Sequence, residues 1–232
     1  MNGVAAPLAP LAPWALAGES IVGLARWQGA APVCPVGLTR MPGPSLVAAT
    51  RYTDSPVGAF VELIIGHPAR LGLRFGWMIS DSIVTAEDAR IGGRLNWGFP
   101  SERADLRWEV DGHERALVWP SRGFSMRGEP KGMPLPWLVP VRALQRRSDG
   151  CMIVPGHQRG RARFARISIE AKPDDVLYAI AGPHPGAMVS GLRATVHPAR
   201  APLGPLKSLV APLRAPEPAV WCETPRAYSS VG

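Results

Sequence analysis

Glycine and proline interrupt this chain so often that long helices have little room to form. The 232 residues include 25 glycines and 26 prolines, and short runs between them alternate apolar residues, as in Ala59, Val61, Leu63 and Ile65. A period of two residues is typical of strands, and glycine and proline supply the turns between them. The pattern predicts a mainly β fold of the β-rich α+β class, closed as a barrel.

The strand-like runs follow one another along most of the chain. An Asp111-Gly112 pair between two such runs predicts a tight hairpin, and further turns are expected at 148–150 and 156–160. The predicted strands are Ser20 to Arg26, Ser45 to Arg51, Gly58 to Ile65, Leu71 to Ile79, Leu106 to Val110, His113 to Trp119, Leu138 to Gln145, Cys151 to Pro155, Arg161 to Glu170 and Ala187 to Val196.

Two segments favour helices. Thr85 is a plausible N-cap for a helix that runs to about Leu95, and Gly92-Gly93 inside it makes sense if the helix packs closely against a sheet. Pro173 to Ile180 suits a short helix with two aspartates in its first turn, where the helix dipole favours acidic groups.

Composition divides the chain into three parts. Residues 1–19 form a Pro/Ala-rich lead-in, which Trp14 is expected to attach to the body. Residues 20–198 are long enough to bury the core of one barrel domain. From residue 199 to 232 proline is frequent and periodicity is lost, which predicts a tail or an arm that packs on the body or on another subunit of a homo-oligomer.

The formal charge of +8 raises the question of a nucleic-acid partner. In the cluster 159–166, strand alternation puts Arg159, Arg161 and Arg163 on one face and Ala162 and Phe164 on the other. A solvated strand face explains this pattern, and a surface for phosphate or acidic ligands is the alternative. Because no helix-turn-helix, zinc-finger or RNA-binding motif is present, we expect no nucleic-acid partner.

Other classes of partner also lack support. No run approaches the roughly 20 apolar residues of a spanning helix, and the N-terminal segment lacks the basic start of a signal peptide, so we expect no membrane association. The cysteines, Cys34, Cys151 and Cys222, are odd in number and far apart, which favours a reducing, cytoplasmic setting. The histidines lack metal-ligand spacing, and we expect no metal and no cofactor.

Glu62 is an unusual residue for its place in a strand. On its own strand face it is flanked by Phe60 and Ile64, although a charged group is rarely placed among apolar neighbours. Either Glu62 lines a polar spot in a pocket, or it lies on a strand rim and pairs with Arg51 or Arg74.

Three segments carry a family resemblance: 54–65, 93–100, and Asp174-Asp175-Val176-Leu177 followed by His184-Pro185-Gly186. In this order they resemble the acetoacetate decarboxylase superfamily, whose members commonly show Gly-Arg-Glu, two or three apolar residues and then Pro-Lys-Lys. The resemblance covers about residues 13–200. It implies an antiparallel β-barrel or cone, with an internal cavity and a few short peripheral helices.

The resemblance also implies a site that lacks its usual nucleophile. Ser101 and Glu102 stand where two lysines are expected, and an enzyme imine needs an unprotonated lysine amine. Three lysines exist, Lys131, Lys172 and Lys207, all far from this motif in sequence. The resemblance makes Glu62, Glu102 and Ser101 the candidate catalytic residues. The candidate substrate-binding residues are Phe60, Arg94, Trp97, Phe99 and His184.

Two functions remain open at this point. The first is chemistry on a keto acid or related carbonyl compound without an imine, in which two carboxylates in one apolar pocket raise the pKa of at least one of them. The second is non-catalytic binding of a small carbonyl or carboxylate ligand. For Glu102 the alternative is an ion pair with Arg103 or Arg94 at the barrel mouth.

Overall fold

The structure is a computed structural model that describes residues 9–30 and 32–201. Most of the predicted lead-in and almost all of the predicted tail, including Cys222 and Lys207, lie outside the described residues. Within residues 9–30 and 32–201, no helix has the length and apolar character needed to cross a membrane.

The described chain is mainly β, with a single α-helix and two short 3₁₀ turns, at Pro120–Arg122 and Val176–Ile180. The helix, α1, runs over Glu87–Trp97. The strands are β1 Trp14–Ala25, β2 Thr39–Arg40, β3 Ser45–Asp54, β4 Phe60–Leu71, β5 Arg74–Val84, β6 Ser101–Arg103, β7 Arg107–Asp111, β8 Glu114–Trp119, β9 Phe124–Arg147, β10 Gly150–Glu170 and β11 Gly182–Val196.

One sheet closes into a barrel. Its hydrogen-bonded order is β6-β5-β4-β3-β1-β11-β10-β9-β8-β7, and β5 also pairs with β9, with Trp77 opposite Ala143 and Met78 opposite Leu144. This extra pairing joins β5, β4, β3, β1, β11, β10 and β9 in a ring, so the predicted mainly β barrel is confirmed. Most neighbours are antiparallel as expected, but the closing pair and the β5–β6 pair are parallel.

Strands β3 and β4 are buried on both faces. The β7–β8 hairpin continues the sheet from the first part of β9 and helps to form a second apolar core, which includes Leu117 and Phe124. Val47 and Leu63 contribute to this second core, while even-numbered residues of both strands face the inside of the barrel. β3 and β4 therefore separate the apolar inside of the barrel from the second core.

Several strand bounds differ from those predicted. β1 begins at Trp14, inside the segment assigned to the lead-in. The run predicted as a strand from residue 71 to residue 79 contains the end of β4, a turn and the start of β5. Gly72, with φ 58°, makes this turn possible.

Strands β9 and β10 are much longer than their predicted pieces. The turn expected at 156–160 is wrong, because β10 runs through it without a break. Gly156 and Gly160 mark close approaches to β11 instead: a Cβ at either residue would lie 2.9 Å from a backbone carbonyl oxygen of that strand. Proline and glycine in this segment do not end the strand.

Strand β10 keeps its alternation through the arginine cluster: even-numbered residues up to Ala162 face the barrel interior, and odd-numbered Ala165 and Ile167 face the second core. A register shift in the β9–β10 pairing lies between Ala162 and Phe164, where two residues of β10 span four of β9. Ala162 is buried as expected, but Phe164 is 70% exposed.

Helix α1 starts two residues later than the predicted cap. Ala86 is the N-cap, and the Thr85 hydroxyl accepts a hydrogen bond from the Val61 N–H at 3.0 Å instead of capping the helix. The second predicted helix is the 3₁₀ turn, and Asp175 caps it by accepting from the Leu177 N–H at 2.7 Å.

The two glycines of α1 hold the helix close to the barrel, as expected. A Cβ on Gly92 would lie 2.4 Å from the ring of Trp14, and a Cβ on Gly93 would lie 2.3 Å from the Ser101 hydroxyl. Trp14 is 2% exposed and meets Trp97 of the helix edge to face, with 5.0 Å between ring centroids. Trp14 therefore fixes the N-terminal strand to the body, as its position predicted.

We expect Gly92→Ala to destabilise the protein although alanine is the better helix former. The gain in helix propensity is about 1 kcal/mol, whereas overpacking against a buried ring costs about 1–3 kcal/mol. Urea unfolding should show a net loss of free energy of unfolding. Gly23→Ala in β1 is the control, because its new Cβ would meet nothing closer than 3.4 Å. A Gly92→Ala variant more stable than the wild type would contradict the tight contact.

Candidate functional site

A cavity of about 120 Å³ lies inside the barrel, with α1 along one side. Its walls are mostly apolar and aromatic, and come from α1 and from β1, β3, β4, β5, β9, β10 and β11. The polar side chains that line it are Thr50, Tyr52, Glu62, His157, Gln158 and Thr195.

The β3–β4 pairing places the central group of the site. Glu62 lies opposite Thr50, and Phe60 lies opposite Tyr52, with 4.8 Å between the two ring centroids. Because side chains alternate along a strand, these residues and Ile64 share the inner face. The pocket position predicted for Glu62 agrees with this geometry, and its alternative ion pair is not formed: Arg51 Nη2 lies 2.9 Å from Glu19.

The Glu62 carboxyl is held between two hydroxyl groups. Ser82 donates to Glu62 Oε1 at 3.2 Å, and the Tyr52 hydroxyl also donates to the carboxylate. Burial raises the pKa of Glu62 to about 7, although the hydrogen bonds from Ser82 and Tyr52 act in the opposite direction. Both protonation states are therefore populated near neutral pH, which suits a general acid or base.

Tyr52 remains a hydroxyl donor under the same conditions. Burial, and then the negative charge of Glu62, raise the pKa of Tyr52 well above its usual value of 10. Behind it, the hydroxyl groups of Thr50 and Ser20 lie 2.9 Å apart. The hydroxyl groups of Thr50 and Tyr52 thus line the cavity on the same face as the Glu62 carboxyl.

Ser101 lies one hydrogen bond behind the cavity wall. Its hydroxyl is 3.0 Å from that of Ser82, and it is 1% exposed. Ser101 does not line the cavity, so the direct substrate contact predicted for it is not what the structure shows. It reaches Glu62 only through Ser82.

Glu102 points away from the site. It follows Ser101 in the short strand β6, so the alternation that buries Ser101 exposes Glu102. The prediction that Glu62 and Glu102 share one cavity is therefore wrong. Arg94 lies outside the cavity as well: its Nε donates to the Ser101 carbonyl at 2.7 Å, and no ion pair to Glu102 forms among the described residues.

The predicted aromatic residues do border the cavity. Phe60, Trp97 and Phe99 all line it, and the rings of Trp97 and Phe99 are 5.6 Å apart. Trp97 is fixed in place because its Nε1 donates to the His197 carbonyl at 3.0 Å.

His184 is not part of the cavity. Its Nε2 lies 2.8 Å from the Ile180 carbonyl oxygen, and it borders a shallow surface depression together with Lys131 and Phe164. His184 is at the other end of β11 from the residues that line the cavity, so the predicted substrate contact is wrong. Lys131 belongs to β9 and not to a loop, and it too is outside the cavity.

Sequence reasoning missed Tyr52, Ser82 and His157. A hairpin register drawn around the turn after Asp54 would have placed Tyr52 on the face of Glu62, but the predicted strand stopped at Arg51. Ser82 was missed because the predicted strand ended at Ile79, whereas β5 continues to Val84. His157 comes from a distant strand; it lines the cavity while being exposed, so the cavity meets solvent there.

A second buried polar group lies outside this cavity. His67 is fully buried, with Nδ1 2.8 Å from the Ser45 hydroxyl and Nε2 3.0 Å from that of Ser80. Burial lowers the pKa of His67 to about 4, so the ring is neutral near pH 7. Both ring nitrogens have partners, which explains how the core accepts this side chain.

Comparison of whole folds gives a consistent set of similar structures. Acetoacetate decarboxylase from Legionella pneumophila subsp. pneumophila str. Philadelphia 1 has a TM-score of 0.65 at 16% identity, over 85% of this chain and 92% of that one. The enduracididine biosynthesis enzyme MppR complexed with pyruvate has a TM-score of 0.64 at 16% identity, over 85% of this chain and 93% of that one. An acetoacetate decarboxylase-like enzyme from Sphingomonas wittichii RW1 has a TM-score of 0.58 at 14% identity, over 86% of this chain and 97% of that one.

In sequence, the chain matches no protein-family model and none of the curated proteins. Likeness at 14–16% identity shows the fold alone. The chain therefore has the acetoacetate decarboxylase fold, as its three motifs predicted.

We expect the buried Glu62 to make stability fall as pH rises. Its pKa is about 7 in the folded protein against 4.5 in its ordinary state, so the folded state holds the proton more tightly. The contribution of Glu62 to stability is greatest below about pH 4.5 and decreases through about pH 7, by up to about 3 kcal/mol. Urea unfolding between pH 4.5 and 8 should show this slope in the wild type and less of it in Glu62→Gln.

Glu102→Gln is the matched control, since it makes the same chemical change at an exposed site. Its pH dependence should equal that of the wild type. If Glu62→Gln also left the slope unchanged, the carboxyl would not be held in a desolvated cavity.

Proposed function

We propose that the cavity takes a small carbonyl compound, a keto acid or a related metabolite, and that Glu62 moves a proton on it without an enzyme imine. The observation that carries this proposal is the Glu62 carboxyl, the one acidic group among the described residues that line the cavity. Its pKa of about 7 suits proton transfer at neutral pH. No lysine is among the described lining residues, so none of these supplies the amine of an imine.

The size of the cavity supports a ligand of this kind. At about 120 Å³ it is slightly smaller than the roughly 150 Å³ apolar cavity that accepts benzene. A compound with about six heavy atoms fits that space. MppR, which has the same fold, has been captured with pyruvate, a molecule of that size.

In the proposed step, ionised Glu62 removes a proton from the carbon next to the carbonyl group. The C–H electron pair forms the new C=C bond, and the carbonyl π electrons move to the oxygen. Tyr52, which remains protonated, is the hydroxyl donor beside Glu62 for that oxygen. Return of the proton from Glu62 to oxygen gives the enol, and return to carbon restores the ketone. The same groups would serve hydration or dehydration.

Ser82 and Ser101 act as positioning residues in this scheme. Ser82 donates to Glu62, and Ser101 lies within hydrogen-bond distance of Ser82. Loss of the Ser101 hydroxyl should therefore change the pKa of Glu62, and hence the pH profile, more than it changes ligand affinity.

Non-catalytic binding is the second candidate. It is favoured by the positions of Ser101 and Glu102, because both residues that replace the expected lysines lie outside the cavity. In that case Glu62 and Tyr52 would orient a ligand by hydrogen bonds and no bond would change.

Exchange of α-protons for deuterium tests the enzyme proposal directly. In D₂O, NMR should show that the protein accelerates exchange at the α-carbon of one or more small ketones or keto acids. Glu62→Gln should reduce the rate by about 10²–10⁴, the usual contribution of a general acid or base. Glu102→Gln should retain the wild-type rate. A ligand that raises the melting temperature while no compound shows exchange would support the binding alternative.

Borohydride reduction in the presence of acetoacetate tests the absence of an imine. We expect mass spectrometry of the intact protein to show no added mass. An adduct on Lys131, Lys172 or Lys207 would show that a lysine reaches the ligand and would contradict the proposed mechanism.

A further inference from the structure

We propose that the cavity selects an uncharged carbonyl compound over a free carboxylate of the same shape. This inference rests on the function proposed above and narrows its substrate class. It follows from the side chains that line the cavity: among the described residues they include an acidic group, Glu62, and no fixed positive charge of the kind that holds a carboxylate.

The cavity wall contains no fixed positive charge among the described residues. Its titratable groups are Tyr52 on β3, Glu62 on β4 and His157 on β10; α1 and the other strands around it contribute apolar or uncharged polar side chains. Only His157 can become a cation, and it is exposed beside His197, with 5.6 Å between the rings. A cation on His157 would therefore sit where the cavity meets solvent.

Arginines that adjoin lining residues in sequence do not line the cavity themselves: Arg142 donates to the Phe75 carbonyl at 3.0 Å, and Arg159 and Arg193 border a separate surface depression. Arg51 forms an ion pair with Glu19, on the strand face opposite to that of Tyr52. Arg94 donates to the Ser101 carbonyl. Neither lines the cavity.

Two effects would make the binding of an anion in this cavity unfavourable. It would lose its hydration in a mostly apolar cavity without a cation to replace it. Where Glu62 is ionised, the ligand would also meet a like charge a few ångströms away. An uncharged carbonyl compound avoids both, since its oxygen accepts a hydrogen bond from Tyr52 or from protonated Glu62, and its carbon atoms contact the apolar wall.

Acid and amide pairs of the same shape separate the effect of the ligand's charge on binding from the effect of its shape. Pyruvate and pyruvamide, and acetoacetate and acetoacetamide, differ only in O⁻ against NH₂. Binding of each should be measured by isothermal titration calorimetry at pH 5.5 and pH 8.5. We expect each amide to bind at least tenfold more tightly than its acid at pH 8.5. The acids should gain at least tenfold in affinity at pH 5.5, because Glu62 is then protonated.

Two variants locate the effect. Ala48→Phe fills the cavity, which Ala48 lines, and should abolish binding of the amides. Glu62→Gln should remove most of the pH dependence of acid binding, whereas exposed Glu102→Gln should behave as the wild type.

The outcomes separate this inference from the proposed function. Acids that bind as tightly as their amides at pH 8.5, with binding lost in Ala48→Phe, overturn the preference and leave the proposed function intact. Failure of all four compounds to bind, together with no α-proton exchange, overturns both.

Discussion

A carboxyl group that lines a mostly apolar cavity, with hydroxyl groups and no cation beside it among the described lining residues, is the constraint on which this site depends. Burial raises the proton affinity of Glu62, and the hydrogen bonds from Ser82 and Tyr52 lower it; burial is the larger effect. Each unit of pKa corresponds to about 1.4 kcal/mol, so the ionised form is held at a real cost in stability. Groups with such strongly shifted pKa values are concentrated at functional sites.

The rest of the fold maintains that environment. The β5–β9 pairing closes the wall, and the helix covers it because Gly92 and Gly93 allow contact with Trp14 and Ser101. Ser101 in turn contacts Ser82, the residue that donates to Glu62. Gly93 on the helix is thus connected to Glu62 through three successive contacts: Gly93 meets Ser101, Ser101 meets Ser82, and Ser82 donates to Glu62. The lack of a side chain at Gly93 therefore bears on the proton affinity of the Glu62 carboxyl group.

How much could be predicted differs between local and distant features. Strand alternation placed Glu62 on the same face as Phe60 and Ile64 but left a pocket and a strand rim as alternatives, because the opposite face of β4 is apolar as well. Glu102 could not be placed this way: β6 has three residues, and its pairing with β5 decides which of them is buried. The exposure of Phe164 was missed because alternation assigns a side chain to a face but does not say how far the interior extends along a strand. His184 was misplaced because nearness to a recognised motif in sequence does not imply nearness to the cavity.

The double burial of β3 and β4 assigns different tasks to adjacent residues. Positions 46, 48, 50 and 52 line the cavity, whereas positions 47 and 49 belong to the second core. Evolution can therefore alter what the barrel accepts through every other codon of one short stretch, while the intervening codons preserve the architecture. The same strand therefore contains one set of residues that lines the cavity and another that stabilises the fold, and the first set can change while the second is kept.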